Sequence, residues 1–232
     1  MQNNLTFVIL FDALIFNFQT MNVQQAYNIW STQYDTNDNK TRDLEALGLR
    51  ETLNGLNFNT CLEVGCGTGK NTAWLLSKAQ HITAIDISDK MLEIAKRKCD
   101  VPNVIFKQVD VTKAWQFSLA QFSLVTFSLM LEHIEDLDFI FKQLTMVIKE
   151  SGYVYIGELH PVKQYAGTKA RFETEDGLQV VPCFNHHISD FTQLGLKYGF
   201  EILNLNEFFD DNNKEAIPRI LTILLRKKLL QA

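Results

Sequence analysis

The chain has 232 residues, of which 46% are apolar and 21% charged, with only 11 glycines and 4 prolines. That composition excludes a collagenous chain and argues against a disordered one, and the length suits one α/β domain with a sizeable core. The net charge of −5 gives no overall basic surface, so no nucleic-acid partner is expected.

Residues 1–20 stand apart. Thr6 to Phe18 is apolar except for Asp12 and Asn17. It is too short to span a bilayer, which takes roughly 20 apolar residues. It lacks the basic flank and cleavage pattern of a signal peptide. An interfacial anchor would carry basic residues, and the first here is Lys40, so no membrane partner is expected. We read residues 1–20 as an N-terminal extension and 21–232 as one domain. Cys61, Cys66, Cys99 and Cys183 show no CxxC spacing. They read as reduced thiols of a cytoplasmic protein, with no metal site.

Val23 to Tyr34 reads as a helix with Tyr27, Trp30 and Tyr34 on one face. A polar loop follows, then a helix from Thr41, its expected cap, to about Leu53, ended by Asn54-Gly55. From residue 59 strands and helices alternate: strand Thr60–Val64, a glycine loop, helix Lys70–Lys78, strand His81–Asp86 and a Ser88-capped helix to Cys99. Strands at Val104–Val109, Phe122–Phe127 and Tyr153–Gly157 follow, with the amphipathic helix Asp136–Lys149 before the last. Residues 159–187 break this rhythm as a polar, aromatic insertion without strong secondary structure, holding three of the five histidines. A helix capped by Ser189 then runs to Tyr198. Phe200–Leu205 and Arg219–Arg226, joined only by a loop, should pair antiparallel. The expected fold is α/β: a doubly wound, mostly parallel seven-stranded sheet with an antiparallel last strand and helices on both faces.

Glu63-Val64-Gly65-Cys66-Gly67-Thr68-Gly69-Lys70 lies between a strand and a helix. Glycines there allow positive φ and close approach of a ligand to helix N-terminal amides. The dinucleotide fingerprint would need glycine at Lys70, and the phosphate loop would need glycine at Val64 and a hydroxyl at Asn71. Neither fits, which disfavours an NAD-dependent oxidoreductase. Glu63 to Gly69 does match E/D-x-G-x-G-x-G and resembles the first motif of the class I S-adenosylmethionine-dependent methyltransferases. The order of elements agrees with that family over residues 22–228, and the motifs lie between about residues 60 and 160.

The resemblance implies S-adenosylmethionine as cofactor, leaving S-adenosylhomocysteine as product. Its site would use Glu63, Gly65, Gly67 and Gly69, with Asp86 accepting from the ribose hydroxyls. Ile87 or Met91 would pack on the adenine. Asp110 would accept from its amino group beside the Val111 amide, and the stretch from Ser128 to Ile134 would line the methionine arm. Acids dominate these motifs, as suits a ligand with two cationic centres and one carboxylate.

Methyl transfer is an in-line displacement, so the protein supplies orientation and, where the acceptor loses a proton, a base. Phe127-Ser128-Leu129-Met130 lacks the prolines of amino-group methyltransferases acting on adenine or glutamine, which leaves a small-molecule acceptor. His133 and His160, at strand C-termini, are the candidate catalytic bases. Tyr27, Tyr34, His186 and His187 are candidate substrate contacts; the resemblance implies that the helix of Tyr27 and Tyr34 is an N-terminal helical lid over the cofactor, and the insertion, with His160 at its start, is the expected substrate cover. The alternative is a catalytically silent copy of the fold that serves as a protein-binding scaffold.

Overall fold

The computed structural model describes residues 21–116 and 121–229; the expected extension, 1–20, lies outside the described residues. In chain order the elements are α1 (Val23–Trp30), α2 (Lys40–Leu53), β1 (Thr60–Val64), α3 (Thr72–Leu76), β2 (His81–Asp86), α4 (Asp89–Lys98), β3 (Val104–Gln108) and β4 (Phe122–Ser128). Then come α5 (Leu137–Val147), β5 (Ile148–Leu159), α6 (Pro161–Tyr165), β6 (Arg171–Thr174), β7 (Gly177–Val180), α7 (Ile188–Lys197), β8 (Phe200–Phe208) and β9 (Ile220–Lys227).

Seven strands form one sheet in the order β3-β2-β1-β4-β5-β9-β8. β1 pairs parallel with both β2 and β4, with Val64 beside Ile85 on one side and Phe127 on the other. β9 pairs antiparallel with β8, as expected for strands joined by a loop, and runs antiparallel to β5 on its other side. The chain reverses its winding between β1 and β4, and open α/β sheets bind ligands in the crevice at such a point.

Two helical layers cover the sheet because alternate strand residues point to opposite faces. Leu62, Val125, Val154, Ile156, Leu221, Ile223 and Leu225 pack with Ile140, Phe141 and Leu144 of α5 and Phe191 of α7. Their neighbours Cys61, Leu124, Tyr155 and Leu224 face the other way, onto Leu49 and Leu53 of α2, Leu75 of α3 and Leu92 of α4. The near-continuous burial of β1 and β4 follows from this double cover. All four cysteines are free thiols, three of them buried.

The element ends differ from expectation where side chains supply unforeseen caps. α2 begins at Lys40 because Asn39, not Thr41, accepts from the Arg42 N–H. α7 is capped at His187, whose N–H donates to Asp190, rather than at Ser189. β5 starts five residues early, at Ile148 opposite Phe122, and carries the Ser151-Gly152 bend within it, with Ser151 at φ +58°.

The insertion is also more ordered than the sequence suggests. It forms α6 and the β6–β7 hairpin. Phe172 and Val181 pack with Ala26 and Trp30 of α1, the rings of Trp30 and Phe172 stacking at 5.0 Å. Two pieces about 140 residues apart in sequence thus make one cover. Among the described residues no helix is long and apolar enough to cross a membrane.

Beneath the sheet edge, Tyr155 donates to the buried Glu45 at 3.1 Å, and Gly157 leaves room for that pair. A Cβ at Gly157 would overlap the Tyr155 hydroxyl and lie 2.6 Å from Glu45 Oε1. Gly157→Ala is therefore expected to lower stability by about 1–3 kcal/mol, read as a lower denaturant midpoint at unchanged slope.

Candidate active site

The loop after β1 turns on three glycines with positive φ, Gly65 (+74°), Gly67 (+53°) and Gly69 (+78°). At Gly65 the constraint is doubled, since a Cβ there would lie 2.8 Å from Met130 Cβ. The Gly65 and Cys66 amides donate to the Ile85 carbonyl, which ties the loop to β2. At the end of β2, Asp86 accepts from the Gly67 amide and the Ser88 amide, each at 2.8 Å. Ser88 in turn caps α4 and donates to Asn28 Oδ1, and Asn28 donates to Asp89. One carboxylate and one cap therefore join loop, α4 and α1.

These elements enclose a cavity of about 400 Å³. Gly65, Gly67, Asp86, Ile87, Asp110, Val111, Ser128, Tyr27, Tyr34 and His133 all line it, so most residues singled out by the sequence meet here. Asp110 is oriented by the Thr112 amide and hydroxyl, at 3.0 and 2.6 Å. The lining holds two carboxylates and no lysine or arginine. Burial pushes the Asp86 carboxyl up, against the backbone N–H groups that favour its charge.

Three expected residues stand behind the wall. Glu63 is buried and accepts from Thr72 Oγ1 at 2.6 Å; burial raises its carboxyl to about 8. Gly69 packs close to Ala95 of α4. Met91 is fully buried, so Ile87 is the member of that pair that reaches the cavity.

His133 lies in a short 3₁₀ turn after β4. Its Nδ1 lies 2.7 Å from the Pro182 carbonyl, which can only accept. Nδ1 therefore carries the proton, and Nε2 accepts from the Tyr27 hydroxyl at 2.7 Å. Burial holds the imidazole below its usual range and the Tyr27 phenol well above its own.

The other histidines sit elsewhere. His160 is the N-cap of α6: Nδ1 accepts from the Val162 amide, and Nε2 donates to Glu207 of β8 at 2.9 Å. It does not line the cavity, because β5 runs two residues beyond its expected end and Pro161 starts a helix at once. His186 donates to the Ile134 carbonyl, and His187 bonds Tyr165. Both lie away from the cavity.

Leu129, Met130 and Ile134 of the expected Ser128–Ile134 stretch line the cavity too, and Asn22, Val23 and Gln24 at the start of α1 join them without a place in any motif. The spacing of Asn22 and Gln25 is a capping box, a legible sign that α1 begins here. Glu158, likewise unforeseen, accepts from the Met130 and Leu131 amides and shapes the turn after β4. An acid at the end of an apolar strand is its one sequence sign. Leu129 belongs to the expected stretch, but its φ of +51° has no sign in the sequence.

A second cavity, about 370 Å³, shares Tyr27, Tyr34 and Leu129 with the first. It lies among α1, the start of α2, the end of β5 and the insertion, and its wall includes Lys40, Arg42, Lys169, Arg171 and Arg219.

Residues 62–156 match the family model described as a methyltransferase domain. An uncharacterized methyltransferase of Emericella nidulans is 26% identical over 220 residues, 78% of this chain and 77% of that protein. A ubiquinone biosynthesis O-methyltransferase of Nitrosomonas europaea is 30% identical over 115 residues. That match covers 47% of this chain and about half, 48%, of the relative. The complex of DhpI with S-adenosylhomocysteine superposes with a TM-score of 0.71 at 21% identity, over 90% of this chain and 96% of that one.

The raised carboxyl of Glu63 has a measurable sign. Between about pH 4.5 and 8 the folded chain keeps a proton there that the unfolded chain releases, so stability falls as pH rises through this window. Glu63→Gln removes that contribution, up to about 1.4 kcal/mol per pH unit. Denaturant melts from pH 5 to 8 are expected to show a steeper decline for the wild type than for the variant.

Proposed function

Because the chain is a class I S-adenosylmethionine-dependent methyltransferase, we propose that it methylates a hydroxyl oxygen of a small-molecule acceptor, with His133 taking up the proton through Tyr27. Residues 21–232 act as one domain, with α1 and the 159–187 insertion as its cover. The observation that carries this reading is the fixed tautomer of His133, whose proton-accepting nitrogen faces the Tyr27 hydroxyl in the wall common to both cavities. The naming of curated relatives as O-methyltransferases supports oxygen as the atom methylated.

The first cavity suits the cofactor. Its two acids and lack of basic residues match a ligand with sulfonium and ammonium charges and no phosphate. Asp86 and Asp110 would hold the ribose and the adenine amino group, and Ile87 and Val111 the face of the ring. The Gly65–Gly67 turn and Ser128 would take the methionine arm. When bound, S-adenosylmethionine supplies an electrophilic methyl group on a cationic sulfur.

The protein's own part is orientation and proton uptake. The acceptor hydroxyl donates to Tyr27 Oη. As its oxygen bonds to carbon, its proton passes to Tyr27 Oη while the phenol proton passes to His133 Nε2. The Pro182 carbonyl holds Nδ1–H throughout and steadies the imidazolium. A neutral histidine and a protonated tyrosine are the resting states this transfer needs, and burial sets both.

Asp86→Ala removes a charged acceptor, and each bond to such a group contributes about 1.5–3 kcal/mol. Affinity for S-adenosylhomocysteine is expected to fall at least about tenfold in calorimetry, with circular dichroism unchanged. An unchanged dissociation constant would refute the assignment.

His133→Gln is expected to lower kcat by about 10²–10⁴ while S-adenosylhomocysteine binds as before. In the wild type, kcat should decline on the acid side below His133's ordinary 6.5, since protonation removes the base; that limb should vanish in the variant. Loss of cofactor binding together with kcat would instead place His133 in the cofactor site.

A further inference from the structure

We propose that the second cavity receives an anionic head group of the acceptor, a carboxylate or a phosphoryl group, with Arg42 and Arg171 as its chief partners. This deepens the reading above and rests on it for the acceptor's role, though the anion site itself can be tested alone.

Charge divides sharply between the two cavities. The first has two acids and no lysine or arginine. The second has Lys40, Arg42, Lys169, Arg171 and Arg219 against Asp38 and Glu132, in a chain whose net charge is −5. Burial raises Glu132 to about 7, so much of it is neutral near that pH. Arg219 is already committed, its guanidinium gripped by Asp210 and bonded to Thr41. The other four basic groups have no carboxylate at ion-pair distance among the described residues.

Arg42 is the decisive case. It is buried, and its guanidinium lies over the Tyr34 ring, 4.1 Å from the centroid. Nη1 donates to the Tyr34 carbonyl and Nη2 to the Asn37 carbonyl, which fixes the turn between α1 and α2. Nε is buried with no acceptor at all. A desolvated guanidinium with neutral partners and one orphaned N–H is costly, and an anion would relieve both deficits. The first turn of α2, Lys40 to Arg42, lines the same cavity and adds the positive end of a 14-residue helix. Exposed Lys169 and Arg171 come from the other side, just before and at the start of β6, the strand of the insertion that packs against α1 through Phe172.

The position suits a methyl acceptor. Tyr27, Tyr34 and Leu129 face both cavities, so a molecule anchored by its anion in the second can present a hydroxyl to Tyr27 at the partition. A volume of about 370 Å³ is that of a small-molecule site. Opposite charge preferences also keep the cationic cofactor and the anionic acceptor from exchanging places.

The test is calorimetry on the full chain, alone and saturated with S-adenosylhomocysteine, using inorganic phosphate and benzoate as probes. Sodium chloride of matched ionic strength is the control. At least one probe should bind saturably. Arg171→Glu, at an exposed position, should weaken it at least about tenfold and leave S-adenosylhomocysteine affinity within about threefold. Arg42→Lys, which keeps the charge and loses the fork, should weaken it too. Binding of phosphate alone identifies a phosphoryl acceptor, of benzoate alone a carboxylate; both support the site. No saturable binding above the chloride control, or equal affinity in wild type and Arg171→Glu, overturns it. Failure of S-adenosylhomocysteine to bind would instead count against the methyltransferase site, because the probes are also titrated without it.

Discussion

The carboxylate of Asp86 holds the working edge of the sheet together. Two backbone amides, one from the glycine loop and one from the start of α4, converge on it. Both belong to segments that would otherwise end in open loops with unsatisfied N–H groups. The same residue looks into the cavity, so the group that orders the wall also sets its charge. Ser88 extends the connection to α1, which is why the N-terminal helix lies over the cavity instead of along the flank of the sheet. Thr68 adds a second latch, donating to Asp35 just beyond α1.

Around that edge the chain concentrates buried acids. Glu45, Glu63, Asp86, Glu132 and Glu158 are all pushed up by burial, and Glu63 feels Glu45 and Asp86 as well. Buried carboxylates without cations are unfavourable in the isolated fold. A cationic ligand in the first cavity would offset part of that cost, so the strain is placed where binding can use it. The acids are not idle meanwhile: Glu158 fixes the turn after β4, and Glu45 takes bonds from Asn71 and Tyr155.

The parallel core was the most readable part of the sequence. β1 and β2 have the expected limits because short apolar runs bounded by turns leave little choice, and Ser88 caps α4 as expected. The glycine motif, Asp86, Asp110 and Ser128 are far apart in sequence but share one sheet edge, so motif spacing carried them to one cavity. Side-chain direction was less readable. Glu63 belongs to the same motif yet points into the body of the protein, where Thr72 meets it. His160 follows a parallel strand as a site residue should, but Pro161 turns the chain into α6 and the ring is drawn to β8. The insertion reads as irregular because its hairpin is short and its apolar residues are few. Its order comes from α1, through Phe172 and Val181, and a contact across that distance leaves no local signal.

The stacking of Trp30 on Phe172 gives the molecule a built-in optical gauge. The chain has three tryptophans. Trp115 is buried in the core against α5, and Trp74 stands in α3 near Lys78. Trp30 alone joins the two halves of the cover, with Tyr27 and Tyr34 packed beside it. Any parting of helix and hairpin exposes that indole to water and takes the Phe172 ring from its face, so its emission colour and intensity follow the opening directly, without a dye.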